Sequence, residues 1–121
     1  LTKLRNKIDH EGYLLTYTSS AAVRKTLRNL GLNIFNIKPR FFNNRVWSNG
    51  TLASFKSLNS NPHIIKLSEM ENEHLETKAS IPYRDPRGDL LSKEILDIRK
   101  KEQHFSQLSD TNLWRKRWEM A

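Results

Sequence analysis

Basic side chains interleaved with aromatic ones form the strongest chemical pattern in this 121-residue sequence. Arg24, Lys25 and Arg28 share one candidate helix, and Lys38, Arg40 and Arg45 follow the next strand candidate, with Phe41, Phe42 and Trp47 among them. A single-stranded nucleic-acid loop calls for that mixture, because its phosphates take the charge while its unstacked bases lie on the rings. The competing reading is a solvated basic face with one phenylalanine in the core. Arg115-Lys-Arg117 beside Trp114 and Trp118 is a second basic and aromatic cluster. Tryptophans on a terminal helix more often serve as docking anchors.

Thr16, Thr18 and Ser19 stand at or near the carboxyl end of a strand candidate, where open α/β sheets place their ligands. They are expected to line a substrate mouth without carrying out chemistry, and no residue is assigned a catalytic role. Ser19-Ser20 has the outline of a nucleophile site but lacks the flanking glycines of a nucleophile elbow, and capping of the next helix accounts for the pair. Glu71 and His74 have the spacing seen in carboxylate-bridged metal bundles, which also need a second such pair and two further Glu, so no metal is expected. Gly12, Gly31, Gly50 and Gly88 are too far apart for a phosphate-cradling loop. The absence of Cys excludes disulfides, thiolate metal sites and a thiol nucleophile, and is compatible with a reducing cytosol.

Charge divides the chain sharply. Residues 1–56 hold ten Lys/Arg against two Asp/Glu, whereas residues 57–121 hold eleven of each, so the whole net charge of +8 belongs to the first part. A field of one sign on one part of a small protein attracts a polyanion, and nucleic acid is the commonest in cells. A mean hydropathy of −0.73 is polar, yet 11 aromatics and clear apolar periodicity support a modest core. No apolar run approaches the ~20 residues of a membrane span, and the opening stretch has no signal-peptide pattern. The first residue is Leu1 rather than Met, which suggests a piece of a longer chain.

The elements that would position these residues can be placed from spacing. Leu1, Leu4 and Ile8 predict the end of a helix over residues 1–10, before Gly12. Tyr13–Thr18 reads as a strand, Ala21 to Leu30 as a helix with Ala21, Val23, Leu27 and Leu30 apolar, Gly31 as its stop, and Asn33–Lys38 as a second strand. Strand, helix and strand within 26 residues have the size of a βαβ unit. Thr51–Phe55 is a third strand candidate, expected to pair across the Asn43-Asn44 loop as a hairpin at a sheet edge. Gly50 marks a bulge or a close backbone approach. Residues 56–63 read as a linker. Ser68 and Glu71 fit a capping box opening a helix through Glu76. Ser92 is expected to cap a helix through about Gln103, and Asp110 one from Thr111 to Trp118.

Gly12 to Leu32, Gly-Tyr-Leu-Leu-Thr-Tyr-Thr-Ser-Ser-Ala-Ala-Val-Arg-Lys-Thr-Leu-Arg-Asn-Leu-Gly-Leu, resembles the late strand and helix of the tRNA methyltransferases that finish 5-methylaminomethyl-2-thiouridine at the wobble position. The shared pattern is a strand ending in Thr/Ser, a helix of the form Val-Arg-x-x-Leu-x-x-x-Gly, then a strand and a basic loop. Leu67 to Leu75, Ile81-Pro-Tyr-Arg-Asp-Pro86 and the Trp-Arg-Lys-Arg-Trp ending resemble the C-terminal extension of cyanobacterial members.

The resemblance implies an α/β fold: the C-terminal portion of a Rossmann-like methyltransferase sheet over residues 1–58, with three strands and one intervening helix, plus a mainly helical extension over 59–121. It implies S-adenosylmethionine as cofactor of the full-length enzyme. The Gly-rich loop, the acidic ribose contact and the catalytic acidic residue of that family have no counterpart here, so this segment alone is expected neither to bind the cofactor nor to transfer a methyl group. Implied partners are tRNA and the missing N-terminal half, or another copy through an exposed sheet edge. No membrane is involved, and the expected location is the cytoplasm. Arg24, Lys25, Arg28, Lys38, Arg40 and Arg45 would be phosphate contacts. Two rivals come from other classes: a small basic RNA-binding module without catalysis, and an assembly protein docking Trp114 and Trp118 into another subunit.

Overall fold

The structure, a computed structural model, describes residues 7–9, 12–37, 50–57 and 63–118. In chain order the elements are β1 (Tyr13–Thr16), α1 (Ala21–Asn29), β2 (Asn33–Ile37), β3 (Thr51–Ser54), β4 (Ile64–Lys66), α2 (Glu69–His74), a 3-10 turn (Lys78–Ser80), α3 (Ser92–Phe105) and α4 (Thr111–Arg117). The helix expected over residues 1–10 and the Asn43-Asn44 loop lie largely or wholly outside the described residues; Lys7 to Asp9 form a turn and bend rather than a helix.

The fold class is α/β, as expected, with a four-stranded sheet in the order β1-β3-β2-β4 and every neighbouring pair antiparallel. Because β1 and β2 both oppose β3, they run parallel to each other. They are joined by α1, so the βαβ unit is present, widened by the strand that slots into its middle. The β2–β3 pair is antiparallel, but β3 is an inner strand and not the sheet edge expected for that hairpin. β4 is a fourth strand beyond the three expected from spacing. β4 follows the stretch read as a linker, so the boundary drawn between residues 58 and 59 falls between two strands of one sheet.

Register explains the core. Leu14, Ala53 and Ile34 lie in one cross-strand row, and Leu15, Leu52 and Phe35 in the next, so the two rows point to opposite faces. On the α1 face, Ile34 and Ala53 cluster with Ala21, Leu27 and Leu32, and Leu67 and Leu75 from the second half of the chain complete the group. Burying a leucine such as Leu27, 1% exposed, contributes about 1.5–3 kcal/mol. Among the described residues, Leu67 and Leu75 of the second half thus close this core.

Gly31 ends α1 as expected. Its φ of 92° is one that L side chains rarely adopt. The turn closes with Leu32 N–H donating to Leu27 O at 3.2 Å and Gly31 N–H to Arg28 O at 3.0 Å, the paired bonds of a Schellman stop. Ser20 is the N-cap of α1, yet its hydroxyl makes no capping bond. Leu91, not Ser92, is the N-cap of α3, and the Asp110 side chain does not cap α4 but lies 3.3 Å from Lys78 Nζ. The capping box at α2 forms fully, with Ser68 and Glu71 bonding reciprocally, although the helix stops at His74.

The remaining tail elements attach mainly through polar groups. Arg99 donates to the carbonyls of Ile81 and Ala79 at 2.8 and 3.0 Å, and Gln103 to that of Lys78 at 3.0 Å, so α3 is fastened by side chain to backbone. The indole N–H of Trp114 donates to Met70 O at 2.9 Å, and that of Trp118 to Glu73 Oε2 at 2.8 Å. Both tryptophans are thus anchors within their own chain, which corrects the reading that they dock into another subunit. Among the described residues no helix is long and apolar enough to cross a membrane.

Candidate functional site

Where β1 and β2 end and β3 begins, a row of polar residues replaces the apolar one. Thr16, Thr51 and Asn36 are cross-strand partners on the face covered by α1. Arg24 projects onto that row from α1 and is only 2% exposed. Its Nε donates to Thr51 Oγ1 at 2.8 Å, its Nη2 to Asn36 Oδ1 at 2.8 Å and to Gly50 O at 3.2 Å, and its Nη1 to Glu71 Oε2 at 2.9 Å. Glu71 in turn accepts from Asn36 Nδ2 at 2.6 Å and from the backbone and hydroxyl of Ser68 at 3.1 and 2.9 Å. Burying a guanidinium and a carboxylate is tolerable only when both are paired and their remaining groups are hydrogen-bonded, which is the case here. No buried side-chain polar atom is left unsatisfied among the described residues.

The strand-end mouth sits against this network. Thr51 Oγ1 donates to the carbonyl of Thr18 at 2.7 Å, so the loop after β1 is held through the same hydroxyl that accepts from Arg24. Within the loop, Thr18 N–H donates to Thr16 Oγ1 at 3.4 Å and Ser20 N–H to Thr18 Oγ1 at 3.1 Å. Thr16, Thr18 and Ser19 are all half-buried. The close approach expected at Gly50 is real: a Cβ there would run into Thr16 O and come within 3.1 Å of Tyr17 Cα. Glycine lets the loop lie directly on β3.

The six basic residues expected to face phosphate have different fates. Arg24 is corrected outright, since it is buried and bonded to the protein on every side, and a phosphate would have to displace Glu71 to reach it. Lys25 Nζ pairs with Glu76 Oε1 at 2.9 Å, and Arg28 Nη2 donates to Asn72 Oδ1 at 3.0 Å. Three successive basic positions of α1 thus meet three residues of α2 and its C-terminal turn. Lys38, Arg40 and Arg45, with Phe41, Phe42 and Trp47, lie outside the described residues.

Glu71 and His74 are drawn apart in role. Glu71 turns inward to Arg24, while the His74 ring stacks on Trp114 with centroids 4.2 Å apart and planes 14° from parallel. Burial lowers the His74 pKa, and the nearby Arg24 and Arg115 charges lower it further against a smaller opposing effect of Glu71. Sequence reasoning missed Asn36 and Thr51 as partners of Arg24. A signal existed, since both are polar residues within strands whose neighbours are apolar, and the Ser68–Glu71 capping spacing already singled out the carboxylate.

The described geometry has known counterparts. Residues 1–56 match a family model described as S-adenosyl-L-methionine-dependent methyltransferase. The resemblance read from the sequence is to a methyltransferase, and it holds. The crystal structure of MNMC2 from Aquifex aeolicus superposes on 85% of the chain with a TM-score of 0.65 at 27% sequence identity. The chain spans 31% of that protein's length. A search of curated proteins gives no match.

The matching family implies S-adenosylmethionine as methyl donor of the full enzyme. Glu71, beside the strand ends, has both oxygens engaged by Arg24, Asn36 and Ser68. The loop after β1 makes hydrogen bonds to itself and to Thr51.

Proposed function

We propose that this chain works as the C-terminal part of an S-adenosylmethionine-dependent methyltransferase that modifies the wobble uridine of tRNA in the cytoplasm. The observation that carries the reading is a joint match, of residues 1–56 to the methyltransferase family and of most of the chain to about a third of MNMC2. The open edge of β1 supports it. That strand has β3 on one side and no strand on the other among the described residues, and it leaves Tyr13 55% and Leu15 64% exposed. An unpaired strand with exposed apolar side chains is the surface on which further strands of a sheet assemble. The N-terminal half of the enzyme would pair there and bring the methyl donor. Thr16, Thr18 and Ser19 would then line the substrate mouth, and residues 59–121 would form an extension that braces it. Lys38, Arg40 and Arg45 would contact tRNA phosphates.

Disruption of the gene in its own cells, followed by mass analysis of tRNA nucleosides, tests this reading. The expected result is loss of the wobble methyl group with accumulation of the unmethylated aminomethyl precursor. An unchanged nucleoside profile overturns it and favours a basic RNA-binding module without catalysis.

A further inference from the structure

A notch opens where β4 leaves β2. Lys66, the last residue of β4, pairs with Phe35, so Asn33 and Ile34 have β3 on one side and no described strand on the other. The space measures about 540 Å³. Its polar lining is Arg28, Asn33, Ser57, Lys66 and Asn72, and no carboxylate is among its described lining residues.

Among the described residues the charges in this notch face no carboxylate, unlike those around it. On α1, Arg24 and Lys25 are paired with Glu71 and Glu76, whereas the guanidinium of Arg28 bonds the neutral amide of Asn72. Lys66 is exposed and has no ion pair or side-chain hydrogen bond among the described residues. Two cations in a concave, carboxylate-free setting focus a positive potential. Around them, Asn33 donates to the carbonyls of Phe55 and Lys56 and Asn72 to that of Leu67, so the two cations are the groups that face a phosphate oxygen.

We infer that this notch holds a backbone phosphodiester of the RNA, through Lys66 and Arg28; the inference rests on the tRNA reading above. Its place in the fold suits positioning rather than chemistry. Asn33 stands at the opposite end of β2 from Asn36, the partner row of the mouth, about 10 Å away at strand spacing. A phosphate held there fixes how the RNA lies across the sheet and leaves the mouth to the base. Phosphate contacts orient nucleic acid without reading its sequence.

The test is tRNA affinity across a salt series for the chain and for two charge reversals, Lys66→Glu in the notch and Lys93→Glu on α3 outside it. Both change net charge equally, and both sites are exposed. Thermal unfolding of each variant checks that the fold is kept. The expected result is a loss of roughly tenfold in affinity for Lys66→Glu at low salt, with the slope of log affinity against log salt shallower by about one, and a much smaller loss for Lys93→Glu. Equal losses in the two variants would overturn the notch and leave the methyltransferase reading standing, since nucleoside analysis decides that separately. A parent chain with no tRNA affinity would overturn the notch together with the tRNA contacts proposed for this segment.

Discussion

Arg24 Nη1 lies 2.9 Å from Glu71 Oε2 across 47 positions of sequence, with the two side chains only 2% and 1% exposed. One ion pair therefore joins the strand-end mouth to the tail, because Arg24 also holds Thr51, and Thr51 holds Thr18. A buried pair of this kind is not a large net source of stability against an apolar alternative, but loss of one partner strands the other charge in a dry interior. Glu71→Gln is expected to destabilise the chain by about 3–5 kcal/mol, read as a lower urea midpoint. A change below ~1 kcal/mol would mean that water reaches Arg24.

Gly50 should tolerate nothing larger. Gly50→Ala places a methyl group against Thr16 O, whereas Gly31→Ala meets no atom within 4 Å and suffers only from its backbone angle. The expected cost is on the order of 1–2 kcal/mol at Gly31 and clearly more at Gly50. Thermal unfolding of the two variants ranks them, and the reverse order would contradict the packing of the mouth loop on β3.

Stability should respond to His74. Its folded pKa is lowered from the ordinary 6.5, so below that value the unfolded chain takes up a proton that the folded chain resists. The contribution is fully present above pH 6.5 and is lost as pH falls toward the folded value. The groups that act on the ring include Trp114, Arg24, Arg115 and Glu71. His74→Gln is expected to flatten the fall in urea midpoint between about pH 7 and pH 5. A parent and variant that lose stability in parallel would assign the effect elsewhere.

The tail should be indispensable to the first half. Removal of residues 59–121 takes away β4, Leu67 and Leu75 from the shared core and Glu71 from Arg24. Residues 1–58 alone are expected to show no cooperative thermal transition. A sharp transition would establish that the two parts fold independently.

Trp114 does two jobs that substitution can separate. Trp114→Phe keeps a ring for His74 to stack on but removes the donor to Met70 O, and should cost about 1 kcal/mol. Trp114→Ala should cost about 3–5 kcal/mol. Because both contacts lie within one chain, neither effect should depend on protein concentration. Concentration dependence would revive docking between subunits.

Local physics made much of this protein legible from its residues. Strand-type residues between turn residues located β1, β2 and β3 to within two residues, Gly31 stopped α1 because its turn needs a left-handed residue, and Ser68 with Glu71 announced α2. The strand and helix pattern also carried the methyltransferase resemblance. Each of these signals depends on neighbours a few positions apart, which one-dimensional spacing records. What required tertiary structure depends on distant partners. A three-residue strand such as β4 has too little pattern to stand out, and only its pairing with β2 makes it one. An arginine on a basic helix looks the same whether it faces water or a carboxylate 47 positions away, so burial alone separated Arg24 from Arg28. Residue type says that a charge needs a partner, and only the fold says which one it has.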